Sequence, residues 1–321
     1  MKHPAVVFSL SLLLSAPLAA VDLPGPVVSP QWLDQNREAV VVLDVRNGLD
    51  AFTEAPQYET AEDGSKKLTY VGGHLGGARP VDFNSLRVSI TVDGKKIDKM
   101  LPARDQVQAL VRSWGVNQGD VLVITSPGES YEENDMAARL YWTLKVHGHQ
   151  AMALLDGGNA AWGQAGLPLV SDATTAPAVG DWTAGELRSA WFAAASELKP
   201  GQSGPQLVDA RPTPQYLGLF FKKPAVTAGG RVQGAVSFAP DVRTREAGLS
   251  RGFFTAERYR QVLGAVGVKP EAGSIVYCNT GHMAAGAWFV LSEVMGVKGV
   301  KLYDGSMHEW TTLGRPVVGL D

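Results

Sequence analysis

The sequence predicts an α/β protein with two similar domains, each a mainly parallel sheet flanked by helices. Short apolar runs without alternation, such as VLVI at 121–124 and IVY at 275–277, are typical of strands that are buried on both faces. Amphipathic stretches of helix length separate these runs, an order that favours parallel sheets. The same signals also occur twice along the chain, which indicates an internal duplication.

The composition is that of a globular protein. Of the 321 residues, 45% are hydrophobic and 19% are charged, and the length suits two domains of about 150 residues each. The formal net charge is −3, which disfavours nucleic acids and anionic membranes as partners. The number of subunits cannot be read from these totals.

Residues 1–20 have the pattern of a secretory signal peptide. A short polar start with Lys2 and His3 precedes an apolar stretch over 5–15 and a small-residue exit that ends near Ala20. This segment is too short to span a bilayer, and no later run approaches the length of a membrane helix. We therefore expect a mature protein without membrane attachment that is periplasmic or secreted.

The two halves carry the same motifs in the same order. The first half has VVLDVR at 41–46, GGHLGGA at 72–78 and DGG at 156–158, and the second half has QLVDAR at 206–211, GGRVQGA at 229–235 and DGS at 304–306. Trp162 and Trp310 each stand six residues after the aspartate of the last motif. We expect both tryptophans to be core residues of two domains with one fold.

The domain boundary is predicted from a change in composition. Residues 171–181 are small, polar and proline-bearing, which is typical of a linker. We therefore predict a first domain over 21–170 and a second domain over 182–321. A helix is expected over 184–198, at the start of the second domain.

The halves differ where the fourth matched strand ends. MAA motifs at 136–138 and 283–285 align the following helices, and the strands align Ile124 with Cys278. Met283 follows Cys278 by five residues, whereas Met136 follows Ile124 by twelve. The longer segment of the first half contains the acidic residues Glu129, Glu132, Glu133 and Asp135. We therefore expect the first domain to be non-catalytic and the second to be catalytic.

Cys278 is the only cysteine of the chain, so no internal disulfide can form. Ligands of open α/β sheets bind at the carboxyl ends of strands, and Cys278 ends such a strand. A tight loop, in which Gly281 is free to adopt positive φ, can direct backbone N–H groups around the sulfur and favour the thiolate. The alternative is a buried cysteine that serves as a small hydrophobe.

Together these segments resemble the tandem-domain rhodanese family, whose members are sulfurtransferases that act on thiosulfate or 3-mercaptopyruvate. The resemblance rests on LVDAR at 207–211 with YLG at 216–218, on the loop CNTGHM at 278–283 and on YDGSMHEW at 303–310. It covers nearly all of the chain after residue 20. It implies two rhodanese-like domains, an inactive first one and a catalytic second one.

The resemblance also implies a reaction. Cys278 takes the sulfane sulfur of a small anionic donor, becomes a persulfide, and passes that sulfur to cyanide or a thiol. The residues implied to bind the substrate are Asn279, Thr280, Gly281, His282, Met283 and Arg211. No metal or organic cofactor is implied, since the protein itself carries the transferred atom.

Two departures from the family leave the donor open. The loop NTGHM is neither the basic loop of the thiosulfate enzymes nor the GSGVT-like loop of the mercaptopyruvate enzymes. The family's second arginine, four residues after Arg211, is replaced by Gln215. The candidate replacements for its positive charge are His282, Lys222, Lys223 and Arg231.

Two of the implied site residues have structural explanations as well. The motif of Asp209 and Arg211 recurs as Asp44 and Arg46 in the domain without the thiol, so a structural ion pair explains Arg211 at least as well as substrate contact does. His282 can orient a donor or supply positive charge, but a solvated loop histidine fits equally.

The sequence also bears on two rival functions and on a metal site. A phosphatase with a cysteine, five residues and an arginine requires arginine at 284, where the chain has Ala284. A sulfur-carrying or redox-sensing module that uses Cys278 without turnover is an open alternative. His147 and His149 have no third ligand nearby, so we expect a surface turn there rather than a metal site.

Overall fold

The computed structural model describes residues 21–269 and 273–320, which form two α/β domains. The predicted signal peptide at 1–20 lies outside these residues. Within the described ranges, no helix has both the length and the apolar character needed to cross a membrane.

The first domain contains eleven strands and four α-helices in the described residues. The strands are β1 Val27–Val28, β2 Val41–Arg46, β3 Gln57–Thr60, β4 Lys66–Tyr70, β5 His74–Leu75, β6 Arg79–Asp82, β7 Val88–Val92, β8 Lys95–Met100, β9 Leu122–Thr125, β10 Met152–Leu155 and β11 Leu169–Val170. The helices are α1 Pro30–Asn36, α2 Arg104–Ser113, α3 Tyr131–Val146 and α4 Gly158–Gln164.

The second domain repeats this order with fewer strands. Its described strands are β12 Phe192–Ala193, β13 Gln206–Asp209, β14 Val236–Ser237, β15 Thr244–Ala247, β16 Ser250–Phe253, β17 Ser274–Tyr277 and β18 Val300–Tyr303. The helices are α5 Thr213–Tyr216, α6 Ala256–Val266, α7 His282–Trp288 and α8 Ser306–Thr312, and a π-helical segment, Phe289–Val294, continues α7.

The two main sheets have the same topology. The first is ordered β1-β10-β9-β2-β6 and the second β12-β18-β17-β13-β14, and the pairs in both sheets are parallel. The indole N–H of Trp162 donates to the carbonyl of Pro168 at 2.9 Å, and that of Trp310 donates to Pro316 at 2.8 Å. The predicted duplication and the predicted core role of both tryptophans are therefore confirmed.

An apolar core continues from one domain into the other where α3 packs against α7. Buried residues of both helices, among them Trp142 and Trp288, belong to one cluster that also contains Cys278. Tyr141 of α3 lies with its ring centroid 5.0 Å from that of Phe289. The interface between the two domains therefore has an apolar centre, and ion pairs such as Arg139–Asp304 and Arg243–Asp135 add polar contacts to it.

Each domain also extends a hairpin over the other. The hairpin β7–β8 of the first domain reaches α8, and the hairpin β15–β16 of the second domain reaches α4. Asp304 accepts a hydrogen bond from the backbone N–H of Leu101 at 2.6 Å, and Asp156 accepts one from the N–H of Phe253 at 2.7 Å. Each domain thus makes an equivalent hairpin contact with the other.

The helix predicted over 184–198 is not formed. Residues 171–191 contain neither helix nor strand, and the backbone N–H groups of Gly185 and Arg188 donate to His147 and Val146 of the first domain at 2.8 and 2.9 Å. Trp182 is buried on the same surface. These tertiary contacts hold an extended path that local apolar spacing does not encode. The residue limits of the two domains stay a prediction.

Candidate active site

Cys278 follows the central strand β17 and begins the loop that leads into α7, as the sequence predicts. The residue is a free cysteine with 1% of its surface exposed. Its backbone therefore continues the middle of the sheet, and its side chain lies at the carboxyl edge, where parallel α/β sheets bind ligands.

A serine that the sequence analysis missed holds the Cys278 loop in place. The hydroxyl of Ser306 accepts hydrogen bonds from the N–H groups of Cys278 at 3.0 Å and Gly281 at 3.2 Å, and it donates to the carbonyl of Tyr303 at 2.9 Å. Ser306 has φ +51°, and the repeat places Gly158, with φ +59°, at the same position of the first domain. The sequence did carry a signal for this residue, namely a serine in the half with the thiol where the other half has glycine.

We expect Ser306→Ala to lower the free energy of unfolding by about 2 to 4 kcal/mol, because two buried N–H groups lose their acceptor. Denaturant unfolding measures the loss, and the rate of sulfur loading at Cys278 should fall with it. Ser306→Gly is the control, since it removes the same hydroxyl but relieves the positive φ and should lose less stability. Equal stability of Ser306→Ala and the parent would contradict the role assigned to this hydroxyl.

Gly281 makes the tight turn possible. It has φ +76°, and a Cβ at this position would lie 2.6 Å from both Nη1 of Arg139 and Oδ1 of Asp304. The predicted positive φ is confirmed, and the close approach adds a second reason for glycine. Among the described residues, none accepts a hydrogen bond from the N–H groups of Asn279, Thr280, His282 and Met283. These donors are free to hold an anionic sulfur species.

Asn279 and Gln215 form a buried pair beside the loop. The amide of Asn279 donates to Oε1 of Gln215 at 2.8 Å, and the backbone carbonyl of Asn279 accepts from the N–H of His308 at 2.9 Å. Gln215, which stands where the family has its second arginine, therefore supports the loop through Asn279. Oδ1 of Asn279 is buried without a partner in the described part of the chain.

The guanidinium of Arg211 is held in a structural arrangement. It forms a buried ion pair with Asp209 and donates to the carbonyl of Gly230 at 2.8 Å. Arg46 of the first domain makes the same pair with Asp44 and the same bond to Gly73. Nη1 lacks a partner in both arginines, with or without a nearby thiol. The arrangement therefore favours the structural explanation of Arg211 over substrate contact.

His282 faces the first domain. Its Nε2 lies 2.8 Å from the carbonyl of Glu132, and its ring centroid lies 4.7 Å from that of Phe83. Burial lowers the pKa of His282 to about 3, and the charges of Arg87 and Arg139 act in the same direction. The ring is neutral near pH 7, so the expectation that it supplies positive charge is wrong.

The half-buried His282, whose pKa is lowered, should make stability depend on pH. Its folded pKa is about 3 against a usual 6.5, so the unfolded chain binds a proton that the folded protein does not bind between these pH values. We expect the free energy of unfolding to fall as pH is lowered from about 6.5 to 4. In His282→Gln this part of the slope should be missing, and an unchanged slope would contradict the assignment. Denaturant titrations at several pH values measure it.

Basic side chains of the first domain reach the loop, which the sequence analysis did not foresee. The buried guanidinium of Arg139 forms an ion pair with Asp304 and lies 3.4 Å from the carbonyl of Gly281. Burial and the charge of Arg139 lower the pKa of Arg87 to about 10, although Cys278, Asp304 and Asp82 act in the opposite direction. Two arginines from the domain without the thiol therefore lie beside the loop that Cys278 begins.

Of the predicted replacements for the missing arginine, Lys222 is exposed, and its charge is one of the causes that lower the pKa of His282. Lys223 lies with Nζ 5.2 Å from the ring of Phe221, and Arg231 stacks 4.5 Å over Tyr216. The last two contact aromatic residues of their own domain.

The first domain has no equivalent of the catalytic loop. Its long helix α3 begins at Tyr131, with Ser130 as N-cap, and the N–H groups of Glu129 and Ser130 donate to the carboxylate of Glu133. The backbone N–H groups at this position therefore already donate to a carboxylate, which agrees with the prediction of a non-catalytic first domain. Ala284 is buried in α7, at the position where the phosphatase motif needs arginine.

His147 and His149 are not in a surface turn, contrary to our expectation. Both are buried; Nδ1 of His147 lies 3.2 Å from the carbonyl of Gly185, and Nδ1 of His149 accepts a hydrogen bond from the indole of Trp182 at 3.2 Å. They serve to hold the connection between the domains. In the described ranges no group of three or more His, Cys, Asp or Glu residues is placed to hold a metal ion.

Comparison with known sequences gives consistent results. Residues 193–313 match the family model described as "Rhodanese-like domain". A "Putative thiosulfate sulfurtransferase" of Saccharopolyspora erythraea is 26% identical over 298 residues, which cover 91% of this chain and 95% of that protein. The "Sulfur carrier protein TtuD" of Thermus thermophilus is 25% identical over 273 residues, which cover 82% of this chain and 92% of that protein.

Solved structures share the two-domain fold. The 3-mercaptopyruvate sulfotransferase SseA of Escherichia coli is 23% identical, with a TM-score of 0.68 over 88% of this chain and 98% of that chain. The anaerobic ergothioneine biosynthesis enzyme of Chlorobium limicola is 19% identical, with a TM-score of 0.72 over 92% of this chain and 70% of that chain. At these identities the likeness shows the fold alone.

Proposed function

We propose that this chain, which belongs to the rhodanese family and has two rhodanese-like domains, is a sulfurtransferase that carries the transferred sulfur on Cys278. The supporting observation is the loop at 278–283, where one thiol lies at the end of the central strand among backbone N–H groups that are fixed by Ser306 and otherwise free. Such donors stabilise a thiolate and the outer sulfur of a persulfide.

The proposed reaction has two steps and balances without an external oxidant or reductant. The Cys278 thiolate attacks the outer sulfur of thiosulfate; a new S–S bond forms, the original S–S bond breaks, and sulfite leaves with the electron pair. Cyanide or a thiolate then attacks the outer sulfur of the persulfide. This gives thiocyanate or a new persulfide and restores the Cys278 thiolate.

The loop residues have separate roles in this scheme. Gly281 allows the turn, Asn279 holds it against Gln215, and the free N–H groups of 279, 280, 282 and 283 receive the transferred sulfur. Cys278 is 1% exposed, so a small donor reaches it more easily than a large one. Thiosulfate is the first donor to test because similar proteins are named "Putative thiosulfate sulfurtransferase". The next donors to test are 3-mercaptopyruvate and persulfides or polysulfides.

A second function is a sulfur carrier that is loaded once and does not turn over with small donors. It is favoured by the relative from Thermus thermophilus that is named a sulfur carrier protein. The same persulfide then goes to a protein acceptor rather than to a small nucleophile.

The two functions are separated by incubating the purified protein with each donor, with and without cyanide. Catalytic formation of thiocyanate supports the sulfurtransferase. A mass gain of one sulfur atom per chain, without turnover, supports the carrier. If no donor, including a glutathione persulfide, adds sulfur to Cys278, both proposals are wrong.

Export is part of the proposal and rests on residues 1–20 alone. Expression of the full chain in a bacterium, followed by fractionation, should give a shortened protein in the periplasm or medium. An uncleaved protein in the cytoplasm would contradict it.

A further inference from the structure

The two domains present equivalent arginines to each other, but with different partners. Arg87 follows the 3-10 helix Phe83–Leu86 and precedes the hairpin β7–β8, and Arg243 follows the 3-10 helix Pro240–Val242 and precedes the hairpin β15–β16. Each therefore stands at the base of the hairpin that crosses to the other domain.

Arg243 has a carboxylate partner. Its guanidinium donates to Oδ2 of Asp135 at 3.1 Å and to the carbonyl of Met283 at 2.7 Å. Asp135 immediately precedes the MAA motif of the first domain, and the residue that precedes the MAA motif of the second domain is His282. The second domain thus has the imidazole of His282 where the first domain has the carboxylate of Asp135. Arg87 therefore lacks the carboxylate that Arg243 has.

Arg87 has no acidic partner among the described residues. Its guanidinium lies 3.9 Å over the ring of Phe83, which in turn packs against His282, and its Nε is buried without a hydrogen-bond acceptor. Its one side-chain hydrogen bond goes to Oδ1 of Asn84 at 3.3 Å. The side chain is partly exposed, so a small solute can reach it. A partly buried guanidinium with free donors is suited to bind an oxyanion.

Two lysines add to the positive charge around Arg87. Lys99 has φ +67° beside an irregular register in the hairpin β7–β8, a backbone distortion of the kind that redirects a side chain. Burial lowers the pKa of Lys99, and the charges of Arg87 and Lys222 lower it further. The carboxylate of Asp304 is already paired with Arg139. Asp82 acts on Arg87 and Asp98 acts on Lys99, and Asp98 is itself paired with Lys96. Because the basic side chains here outnumber these carboxylates, the excess charge is positive.

We infer that Arg87 binds the anionic group of the sulfur donor, with Lys99 and Lys222 adding positive charge around it, so that the domain without the thiol provides the main anion-binding residue of the Cys278 site. The chemical class of the ligand is a small molecule with a sulfonate or carboxylate next to its transferable sulfur. This inference rests on the proposed function in that it calls the bound anion a sulfur donor. The anion site itself does not depend on sulfur transfer.

The test measures anion binding without turnover. In Cys278→Ala, thiosulfate cannot be consumed, and its affinity is measured by isothermal titration calorimetry at low and moderate salt. We expect binding that weakens with salt. Adding Arg87→Gln should weaken it about tenfold or more, because hydrogen bonds between a guanidinium and an oxyanion are lost. Arg87→Lys should give an intermediate affinity, since the charge remains without the planar fork.

Matched controls separate a site from a general field. Arg258→Gln removes an exposed arginine of α6 whose guanidinium contacts Gln261, and it should leave the affinity unchanged. Lys222→Gln should weaken binding about twofold to fivefold, whereas its neighbour Lys223→Gln should not. The inference is overturned if Cys278→Ala does not bind thiosulfate, if Arg87→Gln binds it equally well, or if the control variants lose as much affinity.

The failure of this inference and that of the proposed function look different. If thiosulfate binding depends on Arg87 but no donor ever adds sulfur to the parent protein, the anion site stands and the sulfurtransferase is wrong. If sulfur is transferred and Arg87→Gln has the same KM for thiosulfate as the parent, the sulfurtransferase stands and the inference is overturned.

Discussion

Replacing Cys278 by alanine is expected to abolish sulfur transfer, with a loss of at least about 10³-fold in turnover, the scale seen when a nucleophile is removed. The chain has no other cysteine, so no second thiol can take over. Donor-dependent thiocyanate release measures turnover, and intact-protein mass detects the persulfide. Both signals should disappear together.

Cys278→Ser is the matched control for packing. Serine keeps the size of the side chain in a site where 1% of the residue is exposed, so the fold should persist while the sulfur chemistry is lost. Thermal unfolding of both variants checks the fold. Thiocyanate release by either variant at the rate of the parent would show that Cys278 is a structural residue.

Replacing Gly281 by alanine is expected to destabilise the protein by about 3 kcal/mol and to stop sulfur loading. Alanine would have to adopt the positive φ of Gly281, which is strained for a residue with a side chain. Its Cβ would also lie 2.6 Å from Arg139 and from Asp304, and both of these side chains are buried. Denaturant unfolding gives the stability change, and mass detection gives the loading.

Gly314→Ala separates the two causes of this loss. Gly314 has φ +70°, but a Cβ there has no atom within 4 Å. It should therefore lose only about 1 kcal/mol, the cost of the backbone conformation. If Gly281→Ala were no less stable than Gly314→Ala, the close packing of the loop against the Arg139–Asp304 pair would not matter for stability.

The proposed anion site gives the first domain a function. Its own loop position is filled by the carboxylate of Glu133, yet its hairpin brings Arg87 and Lys99 to the second domain. The interface between α3 and α7 is then a requirement for donor binding, because Arg87 and the thiol come from different domains.

The sequence predicted the parts whose signals are local. The parallel sheets followed from apolar runs, the two-domain plan from repeated motifs, and the loop geometry from a glycine three residues after Cys278. The comparison of the halves also located the catalytic candidate, because a duplication shows where one copy departs from the other.

Local signals failed where the partner is distant in sequence. The helix predicted over 184–198 is replaced by a path bonded to Val146 and His147, and the expected cation His282 is a neutral ring against Phe83. Arg87 carried no motif at all, since its significance depends on a hairpin that crosses to the other domain.

The sequence by itself therefore determined the fold class and the duplication and singled out Cys278 as the candidate nucleophile, because strand burial and a tight turn impose residue types on neighbouring positions. Only the tertiary structure decided which charges surround that nucleophile. Arg87 and Arg139 lie more than a hundred residues before the loop in the sequence. The packing of α3 on α7 and the contact of Phe83 with His282 bring them to it.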